Sequence, residues 1–330
     1  MRALRVHAFG PFADATIETV PDPVPGPGEV LIAVKAAETN FPDILVMEGR
    51  YQVKPPLPFS PGKTGAGVIE AIGPGVTGFA VGDRVMAHVE HGAFAEKMVA
   101  QATGCFALPD GLSFTDAAAL GLTYFTAWCG LRDRAELKPG ESVLVLGAAG
   151  GIGIASIQLA KAMGAKTVIG ATRGTAKMET VWRAGADHVI DASGTDVRDR
   201  MREDVKAITG GGVDIVMDPV GGALTDAALR ALAWRGRLCI LGFASGTIPT
   251  IKANYLLVKN IAVSGLQTSD YRDGLPAVLA QAQTEIFSFW SRGLLRPIVS
   301  DVLPLEDFVT ALTRLQDSVV EGKIILSLAD

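Results

Sequence analysis

Three regularly spaced glycines follow an apolar run near the middle of the chain. The segment VLVLGAAGGIG (143–153) contains Gly147, Gly150 and Gly153, and the helical pattern IASIQLAKAMGA follows. Glycine is needed where a Cβ atom would clash in a tight turn and where the backbone must approach a pyrophosphate. A helix that begins there presents unpaired N–H groups and the positive end of its dipole to phosphate. The sequence therefore predicts a dinucleotide-binding turn, with a plain packing turn as the alternative.

The end of the next predicted strand indicates which dinucleotide binds. An NAD site usually carries an Asp or Glu about 20 residues beyond the glycines, where the carboxylate holds the ribose hydroxyls. No carboxylate lies between Lys166 and Lys177, and Arg173 occupies the expected place. Arg173 and Lys177 would pair with a 2′-phosphate, with Thr172 as a hydroxyl donor. Solvated surface cations are the alternative interpretation, but together with the missing acid these residues favour NADPH over NADH.

Histidine and cysteine do not occur in the pattern of a metal site. The chain has three cysteines and four histidines, and no CxxC spacing. His88 and His91 lie close together in the segment HVEH. On a strand or turn they would not share one face, so we interpret them as surface polar residues. The separated cysteines are interpreted as small apolar residues in a reducing compartment. We predict no bound metal.

The pattern of apolar residues differs between the first part of the chain and the part that follows. Up to residue 120, short apolar runs alternate with turns rich in proline and glycine, which is typical of β structure. From about residue 125, strands alternate with helical segments, which predicts a doubly wound parallel sheet. After about residue 270, an amphipathic helix precedes a terminal strand, GKIILSL. We therefore predict an α/β protein in which residues 1–124 and 266–330 form one domain and residues 125–265 form an inserted dinucleotide-binding domain.

Two further features are interpreted as structural. Asp218, in the segment MDPVGG, follows a predicted strand and is expected to cap a turn. The aromatic segment IFSFW (286–290) has helical spacing and is expected to form the core face of a helix.

Composition and charge argue against several classes of protein. The chain has 330 residues, of which 48% are hydrophobic and 20% charged, and a mean hydropathy of +0.31, enough apolar material for a large core. Its net charge of −5 offers no basic face for nucleic acid or anionic lipid. The N-terminus lacks an apolar core of secretory length, so we expect a cytoplasmic protein. The uncharged run 142–160 approaches the length of a membrane span, but its glycines favour a strand, turn and helix.

Longer motifs connect these features with a known family. They are ETNFPDILVMEGRYQVKPPLPFSPGKTGAGVIEAIGPGVTGFAVGDRV (38–85), AALGLTYFTAWCGL, LKPGESVLVLGAAGGIGIASIQLAKAMGA and GADHVID (185–191). Over essentially its whole length the chain resembles the medium-chain dehydrogenase/reductases, specifically their zinc-independent quinone oxidoreductase branch. The resemblance implies a GroES-like β domain, a Rossmann domain and a homodimer.

The resemblance also implies roles for single residues. Asn40 is implied to reach the nicotinamide end of the coenzyme, and Phe243 and Ser245 are implied to lie near the nicotinamide ribose. Gly150, Gly151 and Ile152 are implied to contact the pyrophosphate, and Thr172, Arg173 and Lys177 the adenosine phosphate. Thr123 and, from the C-terminal strand, Lys323 are also implied to contact the coenzyme. Tyr51 matches a tyrosine at the substrate mouth. Asn40 and Tyr51 are therefore the implied catalytic residues.

Two positions depart from the family pattern, and the ligands of zinc-dependent relatives are missing. Leu45 stands where relatives often have a second tyrosine, which implies a reshaped and more apolar substrate pocket. The family motif PGxEGAG is PGKTGAG here (61–67), with Thr64 in place of the acid and Lys63 beside it. Zinc-dependent alcohol dehydrogenases of the superfamily carry a cysteine and a His–Glu pair where this chain has Thr39–Asn40 and Lys63–Thr64. The zinc ligands are therefore missing at these places.

The implied reaction is hydride transfer from NADPH to a quinone or another conjugated carbonyl, without a metal. Such an acceptor spreads the incoming charge onto an oxygen that hydrogen-bond donors stabilise, whereas a simple ketone usually needs a Lewis acid. Asn40 would orient the coenzyme, and Tyr51 or a water would supply the proton, with an aromatic wall as the alternative role of Tyr51. Reduction of the C=C bond of an enone or enoyl compound is the alternative reaction. An NADPH-binding regulatory or structural protein with little turnover is the alternative of another class.

Overall fold

Two compact units make up the protein in the computed structural model, which describes residues 1–328. The first unit contains Met1–Leu122, Ser269–Phe287 and the described residues from Val299 onward, and the second contains Thr123–Thr268 and Ser288–Ile298. The domain boundaries given above stay a prediction. They differ from these units chiefly in that Ser288–Ile298 groups with the second unit.

Strands and helices alternate differently along the two units. The strands are β1 (Arg2–Arg5), β2 (Thr16–Thr19), β3 (Glu29–Glu38), β4 (Thr64–Ile72), β5 (Arg84–His88), β6 (Lys97–Gln101), β7 (Cys105–Ala107), β8 (Ser142–Leu146), β9 (Thr167–Thr172), β10 (His188–Asp191), β11 (Val213–Asp218), β12 (Leu232–Ile240), β13 (Ala262–Gly265), β14 (Val299–Pro304) and β15 (Lys323–Ser327). The α-helices are α1 (Phe41–Met47), α2 (Phe114–Ala119), α3 (Leu122–Cys129), α4 (Gly151–Ala162), α5 (Met178–Arg183), α6 (Val197–Thr209), α7 (Gly222–Ala231), α8 (Ala253–Lys259), α9 (Thr268–Gly274), α10 (Pro276–Ser291) and α11 (Phe308–Gln316).

The first unit is built on a seven-stranded sheet with the order β14-β15-β3-β4-β5-β7, in which β6 also pairs with β3. β14 and β15 are parallel, and the other pairs in this sheet are antiparallel. β15 pairs with β3 in a register that sets Ile325 opposite Glu38. This pairing brings the end of the described chain to the loop that follows β3. It confirms the β-rich unit that the resemblance implied.

The second unit is built on six parallel strands in the order β10-β9-β8-β11-β12-β13. The strand order reverses at β8 and β11, as it does in doubly wound sheets, which bind ligands at the carboxyl ends of their strands near that point. Val143 to Leu146 of β8 are fully buried, because helices cover a parallel sheet on both faces. The predicted doubly wound sheet is therefore confirmed.

Helix α6 shows how a local pattern produces a packed element. Val197, Met201 and Val205 recur every four residues, and all three are buried, whereas most of the residues between them are charged. Gly210 ends the helix in the left-handed conformation, where its N–H donates to the carbonyl oxygen of Lys206 at 2.8 Å. The segment IFSFW likewise lies in α10 with Ile286 and two of its aromatic rings buried, as predicted.

Short helices inside the first 122 residues were not predicted. α1 and α2 have seven and six residues, too short for a helical period to stand out from the surrounding apolar runs. Within residues 1–328, no helix is long and apolar enough to cross a membrane. The uncharged run 142–160 divides between β8 and α4.

Candidate functional site

The predicted glycine turn joins β8 to α4 in the second unit. Gly147 has a φ of +59°, which a residue with a Cβ atom rarely adopts. A Cβ atom on Gly153 would lie 2.4 Å from the carbonyl oxygen of Gly147, so only glycine permits this close packing of helix on strand. A Cβ atom on Gly150 would meet only that same oxygen, at 3.5 Å. Space therefore remains open over Gly150, at the N-terminus of a twelve-residue helix whose first N–H groups have no acceptor within the helix.

The loop after β9 carries the residues predicted to bind a 2′-phosphate. Thr172 is buried, and its hydroxyl donates to the carbonyl oxygen of Gly174 at 2.8 Å. Arg173 is exposed and Lys177 is half-buried just before α5. Asp191 lies at the end of β10, where its Oδ1 accepts hydrogen bonds from the backbone N–H groups of Gly174 and Ser193. The side-chain hydrogen bond with Ser193 and these backbone bonds hold the pKa of Asp191 below its ordinary value. Its carboxylate is thus committed to the loop backbone.

Two neighbouring loops and helix α3 hold the remaining predicted residues of this unit, and Thr123 is buried in α3. Phe243 and Ser245 follow β12, and both are exposed. The N–H of Ser245 donates to the carbonyl oxygen of Val220 at 2.9 Å, which ties this loop to the one that follows β11. Asp218 accepts from the N–H groups of Val220 and Gly221 at 2.9 Å and from the hydroxyl of Thr225. The prediction that Asp218 caps a turn is therefore confirmed.

Asn40 lies in the first unit, between β3 and α1, and is 3% exposed. Its Oδ1 accepts a hydrogen bond from the ammonium of Lys323 at 2.6 Å, and this ammonium also donates to the carbonyl oxygen of Thr39 at 2.6 Å and pairs with Glu38 at 3.0 Å. The Nδ2 of Asn40 is buried and has no hydrogen-bond partner. The ammonium thus fixes the amide so that its N–H₂ group stays available to an acceptor.

Asp43, which the sequence did not single out, completes this group. It is 1% exposed, and its Oδ2 accepts from the N–H of Asn40 at 2.7 Å. Burial raises the pKa of Asp43 to about 7, although the charges of Lys63 and Lys323 and the hydrogen bond from Asn40 oppose the rise. An asparagine three residues before an aspartate at a helix start is a capping pattern, so the sequence did contain a local signal.

Lys63 and Glu90 form a second buried group in the first unit. Lys63 is 2% exposed, and its ammonium donates to a carboxylate oxygen of Glu90 and, at 3.2 Å, to the carbonyl oxygen of Glu90. The same ammonium lies 4.6 Å from the centroid of the Tyr51 ring. Burial acts to raise the pKa of Glu90, but the charges of Lys63 and Arg272 bring it below its ordinary value. Lys63, which stands beside the Thr64 departure in the sequence, is thus part of an ionic network.

The sequence predicted that the two histidines of HVEH lie at the surface, and their exposure in the structure differs from this prediction. His88 is 4% exposed and shares a hydrogen bond of 3.1 Å with Oε1 of Gln283. Burial lowers its pKa to about 4. The prediction was wrong for His88 because β5 lies inside the sheet, and His91 is half-buried. Among residues 1–328, no three His, Cys, Asp or Glu side chains are grouped as metal ligands. The expected absence of a metal stays a prediction.

The residues present fit a nicotinamide dinucleotide on three observations. The space over Gly150 at the start of α4 suits a pyrophosphate. Nδ2 of Asn40 and Oγ1 of Thr123 are buried polar atoms without partners, and buried polar atoms normally have one. The coenzyme-binding roles of single residues nevertheless stay predictions.

Known proteins resemble the chain over almost its full length. Residues 26–110 match the family model of the alcohol dehydrogenase GroES-like domain, and residues 151–284 match that of zinc-binding dehydrogenases. Quinone oxidoreductase-like protein 2 of Mus musculus is 36% identical over 94% of this chain and 88% of its own length. The human synaptic vesicle membrane protein VAT-1 homolog is 34% identical over 99% of this chain and 86% of its own length.

A solved structure gives the same result. Escherichia coli quinone oxidoreductase complexed with NADPH superposes with a TM-score of 0.90 and 30% identity, covering 99% of this chain and all of that one. Together with the GroES-like β unit and the doubly wound sheet, these similarities show that the chain belongs to the quinone oxidoreductase family of the medium-chain dehydrogenase/reductase superfamily.

Proposed function

We propose that the protein transfers hydride from NADPH to a quinone or another conjugated carbonyl acceptor, without a metal. The observation that carries the proposal is the pairing of an open glycine turn with a cationic loop in the second unit. The space over Gly150 accepts a pyrophosphate, and Arg173 and Lys177 stand where an NAD site would have an acid. Asp191, at the end of β10, is held by backbone N–H groups. The E. coli neighbour, which was solved in complex with NADPH, supports the same coenzyme.

The proposed coenzyme contacts follow the family resemblance. Gly150, Gly151 and Ile152 would hold the pyrophosphate through backbone N–H groups. Thr172, Arg173 and Lys177 would hold the 2′-phosphate, Phe243 and Ser245 would lie near the nicotinamide ribose, and Thr123 would contact the coenzyme. When bound, the coenzyme supplies the hydride, and the protein supplies position and electrostatic stabilisation.

The first unit supports a carbonyl acceptor through hydrogen-bond donors. Lys323 fixes Oδ1 of Asn40 and thereby presents Nδ2 as a buried donor. A donor held in this way needs no reorganisation when negative charge develops on a nearby oxygen. Tyr51 is the proposed wall of the acceptor site and, with water, a candidate proton donor. Metal independence is proposed because Asn40, Lys63 and Thr64 supply an amide, an ammonium and a hydroxyl where zinc enzymes of the superfamily supply ligands.

Oxidation of NADPH by the purified protein tests the proposal. We expect turnover with a benzoquinone or a naphthoquinone, followed by NADPH absorbance, with a hydroquinone as product. A saturated carbonyl formed from an enal or enone would instead support C=C reduction. Tight NADPH binding without turnover on any acceptor would contradict the proposed enzyme and support a binding protein. Retention of activity after treatment with a chelator tests metal independence.

A homodimer is proposed on the surface of the second unit. β13 is an edge strand of the described sheet, and Trp234, Leu257 and Val258 are at least 67% exposed. Large exposed apolar side chains beside an open strand edge are typical of an interface. Analytical ultracentrifugation should give a dimer, and a monomer at micromolar concentration would contradict this. A cytoplasmic location is also proposed, and fluorescence of the tagged protein tests it.

A further inference from the structure

Lys63 is a buried cation to which the proposed reaction gives no contact with the coenzyme or the acceptor. Removing an ammonium from water is costly unless ionic or hydrogen-bond partners compensate. Its side chain is 2% exposed, and its nitrogen is bonded to both the carboxylate and the backbone carbonyl of Glu90. Two bonds to one residue hold the nitrogen in a defined place. A chain that needed only packing at residue 63 would use an apolar side chain there.

Glu90 is itself held from the other side. Its Oε2 pairs with Arg272 at 2.7 Å and accepts a hydrogen bond from the hydroxyl of Ser269 at 2.9 Å. The guanidinium of Arg272 also donates to the carbonyl oxygen of Val89 at 3.0 Å. Because α9 anchors the carboxylate in this way, Lys63 cannot follow a movement of its own loop without breaking a buried ion pair.

The anchored ammonium contacts the ring of Tyr51. A cation within about 6 Å of an aromatic centroid is attracted by the π-electrons, and the attraction is strongest where water is excluded. Here the distance is 4.6 Å, and the cation is buried. Tyr51 lies in the irregular segment between α1 and β4, where its N–H donates to the carbonyl oxygen of Leu45 at 3.1 Å. Backbone and ring are therefore held at two separate points.

We propose that Lys63 is a positioning residue for the acceptor, because its ammonium, held by Glu90, fixes the Tyr51 ring against which the quinone or enone binds. The inference rests on the proposed function, which assigns Tyr51 to the acceptor site. It gives Lys63, at the variable position of the family motif, a role in the choice of acceptor rather than in coenzyme binding. Lys63 thus acts through Tyr51 and transfers no proton itself.

Kinetics of Lys63→Met test the consequence for the acceptor. We expect kcat/KM for the quinone to fall roughly 5- to 30-fold, as for loss of a desolvated cation–π contact, with the KM for NADPH within about twofold of wild type. Lys63→Arg keeps a cation that can attract the ring and should stay within about threefold. In a Tyr51→Leu background, Lys63→Met should change kcat/KM less than about twofold, because the two residues act as one unit.

A readout that needs no turnover separates this inference from the proposed function. With four tyrosines in the chain, ring-labelled tyrosine gives few NMR signals, and Tyr51→Leu assigns that of Tyr51. The Tyr51 signal should shift in Lys63→Met and return in Lys63→Arg. Lys97→Met, which breaks the pairs of Lys97 with Asp22 and Glu70, is the matched control and should leave the signal unchanged.

Specific outcomes overturn the inference. A Lys63→Met enzyme with wild-type kinetics for the quinone, additive effects with Tyr51→Leu, or an unmoved Tyr51 signal would each contradict it. If Lys63→Met does not fold because Glu90 loses a partner, Lys63→Met with Glu90→Gln removes both charges and is subject to the same outcomes. A wild-type protein that reduces no acceptor, yet shows the expected change in the Tyr51 signal, would refute the proposed function and leave the Lys63–Tyr51 contact established.

Discussion

The glycine turn of the second unit and the ionic groups of the first unit are built in opposite ways. The turn consists of backbone from seven consecutive residues, Gly147 to Gly153, and its function depends on missing side chains. The groups around Asn40 and Lys63 consist of side chains from β3, α1, α9 and β15 and from the segments after β3, before β4 and after β5, and their arrangement depends on charges held away from water. A short motif can encode a turn that suits phosphate, whereas the ionic groups proposed for the acceptor site need residues from distant parts of the chain.

The turn should be the more sensitive to added volume. The Cβ atom of a valine at residue 153 would lie 2.4 Å and 2.6 Å from the carbonyl oxygens of Gly147 and Ala148. Gly153→Val should therefore lower the free energy of unfolding by about 3 kcal/mol or more and abolish NADPH binding. Thermal unfolding and NADPH titration measure both. Gly150→Ala is the matched control, because its Cβ meets one atom at 3.5 Å. It should fold normally and lose only NADPH affinity. Equal destabilisation by both variants would contradict the distinction between packing and phosphate glycines.

The ionic groups should be the more sensitive to removal of a charge. Lys323→Met leaves Glu38 buried without its cation and frees the amide of Asn40, so it should cost about 3 kcal/mol of unfolding free energy and lower kcat. Denaturant unfolding and NADPH oxidation measure these changes. Lys97→Met breaks ion pairs at a more exposed place in the same unit and should cost at most about 1 kcal/mol. Similar losses in the two variants would show that burial of the Lys323 pair is unimportant.

The preference for NADPH over NADH tests the proposed role of the two cations that follow β9. Arg173→Ala and Lys177→Ala should each weaken NADPH binding roughly 10-fold while leaving NADH binding within about twofold, because only NADPH carries the 2′-phosphate. Fluorescence titration with both coenzymes measures this. The difference in NADPH affinity between Arg173→Ala and the wild type should be smaller at high salt, since Arg173 is exposed and salt screens its charge. Equal losses for the two coenzymes would refute the assignment to the 2′-phosphate.

The pH dependence of stability gives the smallest expected effect, because two buried groups of the first unit oppose each other. Asp43, with its pKa raised to about 7, binds a proton in the folded protein that the unfolded chain releases above 3.8, so it lowers stability as pH rises through that window. His88, with its pKa lowered to about 4, stays neutral where the unfolded chain binds a proton below 6.5, so it raises stability with pH.

Denaturant unfolding between pH 4 and pH 7 of two variants separates these contributions. Asp43→Asn should make stability rise more steeply with pH, and His88→Gln should make it fall, relative to wild type. The wild-type curve should lie between the two. Variant curves parallel to the wild type would show that neither group titrates with a shifted pKa.

Much of the fold could be predicted from the sequence, because it depends on local patterns of residues. The alternation of strands and helices after residue 125 predicted the doubly wound sheet, and the spacing of glycines predicted the turn after β8. His88 was misjudged as a surface residue, since one sequence does not show that β5 lies in the interior of a sheet. α1 and α2 were missed because seven or six residues hold less than two helical turns.

The sequence by itself determined the family, the glycine turn after β8 and the cations placed after β9, because each depends on neighbours in the chain. Only the tertiary structure showed that Lys323 orients Asn40, that Asp43 is buried where the charges of Lys63 and Lys323 act on it, and that Lys63 joins Glu90 to Tyr51. These contacts join residues up to 283 positions apart. Charge burial and hydrogen-bond satisfaction are properties of the folded surroundings, so no local pattern of residues encodes them.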